Sequence, residues 1–338
     1  MNAYDVTHIP EGYTSVLDLQ ETERAIKFVK DTFERELAEA LTLMRVSAPL
    51  FVKAESGLND NLSGVERPVG FDVKETGENL EIVQSLAKWK RQALARYQIP
   101  VHCGLYTDMN AIRRDEDTDE IHSLYVDQWD WEKVITASDR NEAYLRKSVT
   151  AIYGAIVKTF TAVEEKYPIL PCFLPKEITF VTAQELENAY PELTPEQREN
   201  AHAKKHGAIF VMQIGGNLAS GKPHGNRAPD YDDWSLNGDI IVYYPLLDRA
   251  VELSSMGIRV DADALKKQCE LSGKTHMLAL PFQKALLNNE YPLTMGGGVG
   301  QSRLCLLMLN KAHIGEVQSS VWPEEMVSLC AKKGVILL

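Results

Sequence analysis

The sequence predicts an α+β fold in which helices flank a central, mostly antiparallel sheet. Candidate strands occur in consecutive pairs as well as in alternation with helices, and the clearest pair lies in residues 238–260. Consecutive strands favour antiparallel pairing, whereas strict alternation favours a doubly wound parallel sheet. The 338 residues include 44% hydrophobic and 25% charged side chains, which is typical of a globular protein. Because no linker rich in Pro, Gly or Ser divides the chain, we expect a single domain over residues 18–338, after an extension over residues 1–17.

Helices are predicted where apolar residues recur every three or four positions. The clearest case runs from Gln20 to Met44, where Ile26, Val29 and Phe33 share one face and charged residues lie between them. Further helices are predicted at residues 86–97, 141–166, 194–206, 261–271, 283–288 and 302–310.

Strands are predicted from short runs of β-branched and aromatic residues. The run SLYVDQWDWEKV, residues 123–134, is the strongest of them. Other strands are predicted at residues 45–52, which include Pro49, at 177–183 and 207–216, and twice within 238–260.

Charge, cysteine usage and hydropathy exclude several classes of protein. The longest apolar runs are far too short to span a bilayer, and the first twenty residues have no basic start or apolar stretch, so we expect no membrane partner and no secretion. Five scattered cysteines are typical of reduced thiols in a cytoplasmic protein. The net charge of −12 argues against a nucleic-acid partner, because phosphate binding needs a basic face.

Polar and aromatic residues alternate along the strand at residues 123–134. Gln128, Asp130 and Glu132 therefore share one face of the strand, and Trp129 and Trp131 share the other. One interpretation is an edge strand whose polar face meets solvent. The other is a buried polar platform, whose carboxylates and amide suit a zwitterionic ligand.

An acidic segment follows between two arginines. Arg227 and Arg259 bracket a set of five carboxylates, namely Asp230, Asp232, Asp233, Asp239 and Glu252. If the two strands of this segment pair, Asp239 and Glu252 converge, and one or two carboxylates with substrate phosphates are what Mg²⁺ requires. A solvent-exposed acidic hairpin is the alternative, but the apolar residues beside Asp239 demand burial.

The segment TMGGGVGQSRL, residues 294–304, joins glycines to an arginine. Its spacing matches neither a Walker loop nor a dinucleotide fingerprint. Either the glycines form a tight turn into the following helix, or they let a ligand approach the backbone with Arg303 placed over it.

These segments resemble the three signature motifs of class II aminoacyl-tRNA synthetases. The glycines with Arg303 resemble the third motif, RRDED (residues 113–117) with DQWDWE resembles the second, and MRVSAPLF (residues 44–51) resembles the first. The chain is still more similar to the ammonia-dependent asparagine synthetases, or aspartate–ammonia ligases. NDNLSG (residues 59–64), RAPDYDDW and ELSSMGIRVDAD carry that resemblance, which covers about residues 20–322.

The resemblance implies a fold and a reaction. The fold is a central, mostly antiparallel sheet of the class II aminoacyl-tRNA synthetase type, in one catalytic domain that forms a homodimer around Pro49. The reaction uses ATP and Mg²⁺. The β-carboxylate of L-aspartate attacks the α-phosphate of ATP, and ammonia then displaces AMP from the β-aspartyl-adenylate to give L-asparagine. An aspartyl-tRNA-synthetase-like paralogue, which activates aspartate for another acceptor, is the alternative.

The resemblance also implies a role for each matching residue. Nucleotide binding falls to Arg113, Ser123, Asp239, Arg259, Gly298 and Arg303, with Asp239 and Glu252 holding Mg²⁺. Aspartate binding falls to Ser85, Lys90, Gln128, Asp130, Arg227, Asp232, Ser254 and Ser255. The catalytic residues are Asp60, Arg113, Gln128, Asp232 and Arg303, with Asp60 steering or deprotonating ammonium and the glycines making room for the purine. The tRNA-charging enzymes' spacing would select Arg114 as the phosphate arginine, but the ligase spacing favours Arg113.

Overall fold

A large and a small sheet form the framework of the protein. A computed structural model describes residues 7–60, 62 and 66–338. The strands are β1 (Leu43–Arg45), β2 (Phe51–Lys53), β3 (Gly70–Asp72), β4 (Asn79–Ile82), β5 (Gly104–Ile112), β6 (Tyr125–Val134), β7 (Thr179–Thr182), β8 (Ala208–Met212), β9 (Asp232–Tyr244), β10 (Arg249–Arg259) and β11 (Thr294–Gly300).

The large sheet has eight strands in the order β1-β5-β6-β11-β10-β9-β8-β7. The outermost pairs, β1 with β5 and β7 with β8, are parallel, and the inner pairs are antiparallel. Strands β2, β4 and β3 form the small antiparallel sheet. This architecture confirms the predicted α+β fold with a mostly antiparallel central sheet.

Helices cover the large sheet. They are α1 (Leu19–Leu41), α2 (Ala87–Arg96), α3 (Glu142–Lys166), α4 (Ala183–Ala189), α5 (Pro195–His206), α6 (Ala262–Leu271), α7 (Pro281–Leu287), α8 (Gln301–Met308) and α9 (Glu324–Lys332). Helix α1 begins after Asp18, whose carboxylate accepts a hydrogen bond from the amide of Glu21 at 2.8 Å. It buries Val29, Phe33 and Leu37 in the main core, so the predicted amphipathic face is confirmed. Within the described residues, no helix combines the length and apolar character that crossing a bilayer requires.

Two predicted elements differ from the structure. The segment around Pro49 is not one strand, because β1 ends at Arg45 and β2 begins at Phe51, leaving the proline in the connection. Proline lacks the amide N–H that a strand interior must donate. The glycines at residues 296–298 do not form a tight turn, since they lie inside β11 at the centre of the sheet, and β11 ends at Gly300 directly before helix α8.

Candidate active site

The centre of the large sheet carries a layer of polar side chains on one face. Strand β6 is an interior strand between β5 and β11. Trp129 and Trp131 are buried in the main core beneath it, with the Trp129 ring 4.7 Å from that of Phe33. Asp130 and Glu132 point to the opposite face and are 4% and 0% exposed. The buried polar platform is therefore the correct interpretation, and the edge strand is excluded.

The glycines of β11 leave space for this platform. Gly296 lies opposite Glu132 in the register, and Gly298 lies opposite Asp130. A Cβ on Gly296 would overlap the carboxylate of Glu132, and a Cβ on Gly298 would overlap the amide of Gln128. The side chains of the protein itself are thus one reason for these glycines, and room for a purine beside Gly298 stays a prediction.

A cavity of about 320 Å³, which we call the acidic cavity, opens above the platform. Carboxylates and arginines from distant parts of the chain meet in its wall. The predicted site residues that line it are Asp60, Ser85, Arg113, Gln128, Asp130, Arg227, Asp232, Glu252, Ser255, Arg259 and Gly298.

Arg259 holds two of these carboxylates. Its Nε and Nη2 donate to the two carboxylate oxygens of Glu132 at 2.9 and 2.8 Å, and its Nη1 donates to Asp232 at 2.5 Å. Burial alone would raise the pKa of Glu132, but the guanidinium outweighs burial, so this pKa lies below its ordinary value. For Asp232 the balance is reversed, and burial keeps its pKa raised despite Arg259. Arg259, in the wall of the acidic cavity, is thus ion-paired with two carboxylates of the protein itself.

Lys90 lies beneath the acidic cavity rather than in its wall. The side chain is 0% exposed, and its ammonium contacts the carboxylate of Asp130 and the carbonyl oxygens of Trp131 at 2.9 Å and Gly297 at 3.1 Å. Burial lowers the pKa of Lys90, although Asp130 and Glu132 oppose the shift. The described geometry therefore makes Lys90 a support for Asp130.

A second cavity, of about 210 Å³, adjoins the first and is called the Arg303 cavity here. Helix α8 begins directly after β11 and places Arg303 in its wall. The guanidinium donates to the carbonyl oxygens of Glu252 at 3.0 Å and Ile121 at 3.4 Å, and among the described residues no carboxylate forms an ion pair with it. Ser123 and Ser254 also line this cavity, and the hydroxyl of Ser254 donates to the carbonyl of Gly298 at 2.8 Å.

Arg113 lies where the two cavities meet. Gln128, Glu252, Ser255 and Gly298 share this position, since all of them line both cavities. The Nε of Arg113 is buried and has no hydrogen-bond partner among residues 7–60, 62 and 66–338, and its Nη1 is 3.9 Å from the carboxylate of Glu116. Arg114 is exposed and lines neither cavity. The geometry therefore favours Arg113 over Arg114 as the arginine of this site.

Asp239 and Glu252 lie on the paired strands β9 and β10. One oxygen of Asp239 accepts a hydrogen bond from Arg227, while the other is buried and has no hydrogen-bond partner in the described part of the chain. Burial raises the pKa of Asp239 to about 7, with Arg227 opposing the rise and Glu252 adding to it. Glu252 lines both cavities, whereas Asp239 lines neither.

This carboxylate pair fits a divalent cation. No group of three His, Cys, Asp or Glu side chains in the described ranges is arranged to hold a metal ion. A cation that also binds substrate phosphates, however, needs only one or two protein carboxylates. The unpartnered oxygen of Asp239, close enough to Glu252 for their charges to interact, meets that requirement.

Asp60 lines the acidic cavity. It is 2% exposed, and its carboxylate accepts a hydrogen bond from the amide of Leu62 at 3.0 Å. Burial raises the pKa of Asp60, with Lys88 opposing the rise and Asp230 adding to it. Residues 61 and 63–65 of the same motif lie outside the described residues.

Several residues of the site were not predicted from the sequence. Gln84 is 1% exposed, donates to the carbonyl of Asp60 at 3.1 Å and leaves its buried Oε1 without a partner. Tyr231 lines the acidic cavity with its ring 5.7 Å from the guanidinium carbon of Arg259. Glu132 was placed on the platform, but its role as the partner of Arg259 was missed. Alternation along β6 gave the face of Glu132, whereas no local signal identified a partner 127 residues away.

The fold resembles solved class II synthetase structures. The asparaginyl-tRNA synthetase of Entamoeba histolytica with asparaginyl-adenylate matches with a TM-score of 0.62 and 14% identity, over 89% of this chain and 66% of that chain. The asparaginyl-tRNA synthetase of Pyrococcus horikoshii with asparaginyl-adenylate also has a TM-score of 0.62, with 13% identity over 90% of this chain and 70% of that chain. This chain thus spans about two thirds of those proteins, and the likeness confirms the predicted type of fold.

Sequence comparison identifies the family. The aspartate–ammonia ligase of Fusobacterium nucleatum is 60% identical over 97% of this chain and 100% of its own length. That of Ruminiclostridium cellulolyticum is 58% identical over 97% of this chain and 98% of its own length. The family model described as aspartate-ammonia ligase matches residues 20–334. By full-length identity and by the family model, the chain belongs to the aspartate–ammonia ligase family.

Proposed function

We infer that this chain is an ATP-dependent aspartate–ammonia ligase, which makes L-asparagine from L-aspartate and ammonia. The observation that carries this conclusion is the 60% identity to a ligase of that name over nearly the whole chain. The two adjoining cavities support it, because a small zwitterion and a nucleotide must meet at one point for the reaction to occur.

We propose that the acidic cavity binds aspartate. Asp130 and Asp232 provide carboxylates for the substrate's ammonium group, and Ser85, Gln128 and Arg227 provide donors for its carboxylates. Lys90 acts through Asp130, whose carboxylate it holds. Ser254 lines only the Arg303 cavity, so its role lies on the nucleotide side, while Ser255 faces both cavities.

ATP occupies the Arg303 cavity in this proposal. Arg303 stacks on the adenine or contacts the phosphates, and Ser123 and Gly298 complete the wall. Arg259, paired with Glu132 and Asp232, acts from the acidic side by fixing these carboxylates rather than by reaching far into the nucleotide cavity. This arrangement brings the α-phosphate to Arg113 at the junction.

In the first step an oxygen of the aspartate β-carboxylate forms a bond to the α-phosphorus, and pyrophosphate leaves with the electron pair of the broken P–O bond. Arg113 at the junction stabilises the negative charge that builds up on the α-phosphate. Asp239 and Glu252 would hold Mg²⁺, which neutralises phosphate charge.

In the second step the nitrogen of ammonia forms a bond to the β-carbonyl carbon and the C–O bond to the phosphate breaks, with its electron pair leaving on AMP. The new amide nitrogen releases one proton, which the phosphate of AMP or solvent accepts. Ammonium must first lose a proton, because its nitrogen has no free electron pair. Asp60 is placed to take that proton, since burial keeps its pKa above that of an ordinary aspartate. Gln128 at the junction orients the carbonyl group.

We also propose that the protein acts in the cytoplasm as a homodimer, without nucleic-acid or membrane partners. Apolar residues are exposed on both sides of Pro49, with Met44, Leu50 and Phe51 at 52%, 51% and 44% exposure. A second copy that covers them would remove this apolar surface from water. A monomeric mass in sedimentation equilibrium would contradict the dimer.

Product analysis of the pure protein with ATP, Mg²⁺ and aspartate tests the function. Asparagine and AMP are expected to appear in equal amounts, and only when ammonium is added. Exchange of pyrophosphate into ATP without asparagine would show instead that the adenylate serves another acceptor. Equal asparagine yields from glutamine would contradict ammonia as the nitrogen donor.

A further inference from the structure

The segment at residues 7–17 lies before the region that the family model matches, yet it is packed into the protein. The family match begins at residue 20. Ile9 is nevertheless 6% exposed and belongs to the main hydrophobic core, and Tyr13 and Leu17 pack against the same core. A tail without a role in the fold would have no reason to bury an isoleucine.

Polar contacts fix this segment at three points. The amide of His8 donates to Glu120 at 3.0 Å, and the hydroxyl of Tyr13 lies 3.1 and 3.0 Å from the two oxygens of Glu316. Lys311 donates to the hydroxyl of Ser15 at 2.6 Å. Glu120, Glu316 and Lys311 are 2%, 3% and 2% exposed. Loss of a partner at such buried groups is costly, because water cannot replace it freely.

Two residues that the segment contacts, Glu120 and Glu316, lie close in sequence to residues that line the Arg303 cavity. Glu120 directly precedes Ile121, which lines the cavity and accepts the hydrogen bond of Arg303. The carbonyl of Glu120 also accepts a hydrogen bond at 2.8 Å from the amide of Ile314, which lines the same cavity.

Glu316 stabilises the turn that contains Ile314. Its Oε1 accepts hydrogen bonds from the amides of Ala312 and His313 at 2.9 and 3.1 Å, in the turn that presents Ile314. The same carboxylate accepts a hydrogen bond from the hydroxyl of Tyr13. No residue of 7–17 lines the acidic cavity or the Arg303 cavity.

We propose that residues 7–17 form an N-terminal strap that positions the walls of the nucleotide site. The strap acts through Glu120 and Glu316 on Ile121, Ile314 and Arg303, so its residues are positioning residues that do not touch the substrate. It sets the affinity for ATP and leaves the affinity for aspartate unchanged. This inference rests on the proposed function only in taking the Arg303 cavity as the ATP site.

The test compares Tyr13→Phe with Tyr153→Phe. Each variant removes one hydroxyl that donates a hydrogen bond. Tyr153 lies on helix α3, donates to the carbonyl of Pro175 at 2.6 Å and lines neither cavity. Because one hydrogen bond is worth about 1 kcal/mol, Tyr13→Phe should raise the KM and the Kd for ATP about fivefold. The KM for aspartate should change less than about twofold in either variant, and both variants should lower the Tm.

Two outcomes would overturn the strap. One is an unchanged Kd for ATP in both Tyr13→Phe and Ser15→Ala, the second of which removes one of the two hydroxyls to which Lys311 donates. The other is an equal rise in the KM for ATP and aspartate, which a general loss of packing would produce. The Kd for ATP is measured by calorimetry without aspartate or ammonium. A wild-type protein that binds ATP but makes no asparagine would therefore refute the proposed function and still allow the strap to be tested.

Discussion

The two adjoining cavities differ in how their charged groups are satisfied. In the acidic cavity, Arg259 is paired with Glu132 and Asp232, and the buried Lys90 is held against Asp130. In the Arg303 cavity, Arg303 donates to the backbone carbonyls of Ile121 and Glu252 and to no carboxylate within the part of the chain that the structure describes. The first cavity therefore has its charges fixed before a ligand arrives, whereas the second keeps a cation available for one.

This difference matches the proposed ligands. A small zwitterion offers few contacts, so discrimination depends on fixed carboxylates and donors whose positions do not relax. A nucleotide brings its own negative charge and a large flat ring, and an arginine without a carboxylate partner can meet both. Arg113, with one buried nitrogen unpartnered, stands between the two cavities.

The largest effect is expected at the junction. Arg113→Gln should lower kcat for asparagine formation about 10³-fold, or about 4 kcal/mol, because it removes the charge that faces the α-phosphate. Arg114→Gln is the matched control and should change kcat less than about twofold, since Arg114 is exposed and lines neither cavity. If the loss followed Arg114 instead, the assignment of the junction would be wrong.

The second prediction compares how a substitution in each cavity changes the free energy of unfolding. Glu132→Gln should lower the free energy of unfolding by about 3 kcal/mol, because it leaves Arg259 with a broken buried ion pair. Arg303→Ala should lose ATP-dependent turnover but change stability by no more than about 0.5 kcal/mol. Denaturant unfolding of both variants measures this contrast, and equal stability losses would show that the cavities do not differ as described.

The ion pair between Glu132 and Arg259 also makes the free energy of unfolding depend on pH. Its pKa in the folded protein lies below that of an unfolded glutamate, about 4.3. The stability from this group is therefore present above pH 4.3 and is lost as the pH falls through the lower folded value. In Glu132→Gln this part of the pH dependence should disappear. If the free energy of unfolding of the variant changed with pH in parallel with that of the wild type, the lowered pKa of Glu132 would be contradicted.

The smallest of the three effects is expected at Asp60 and concerns only the second step. Asp60→Asn should lower asparagine formation from ammonium about 10²-fold, or about 2.7 kcal/mol, because ammonium loses its base. Aspartate-dependent exchange of pyrophosphate into ATP should persist, since adenylate formation does not use Asp60.

Hydroxylamine sharpens this prediction, because it is largely uncharged at neutral pH and needs no base. It should restore turnover in Asp60→Asn more than ammonium does. Wild-type activity with ammonium should also fall as the pH drops through the raised pKa of Asp60. A variant that lost exchange together with asparagine formation would place Asp60 in aspartate binding instead.

Local pattern predicted the fold and part of the site. The period of two along β6 placed Gln128, Asp130 and Glu132 on one face, and the period of α1 placed Phe33 in the core. Such patterns depend on a few neighbouring residues, so they can be read before the chain is folded. The individual site residues, by contrast, came from motif resemblance.

Non-local contacts explain what the sequence did not reveal. The ammonium of Lys90 contacts the carbonyl of Gly297, which is 207 residues away, and this contact makes it a buried support. The reason for Gly296 is the carboxylate of Glu132 on the next strand. Strand β5 was not predicted, although it lies between β1 and β6 in the sheet. Pairing across strands decides such roles, and no single segment carries that information.

The N-terminal strap has a consequence for the order of events during synthesis. Tyr13 leaves the ribosome early, but its partner Glu316 lies 303 residues later and the partner of Ser15 lies 296 residues later. Folding that begins at the amino terminus during translation cannot complete these contacts until the last part of the chain has emerged. The contacts that join the strap to the wall of the Arg303 cavity can therefore form only after residues 311–316 have been synthesised.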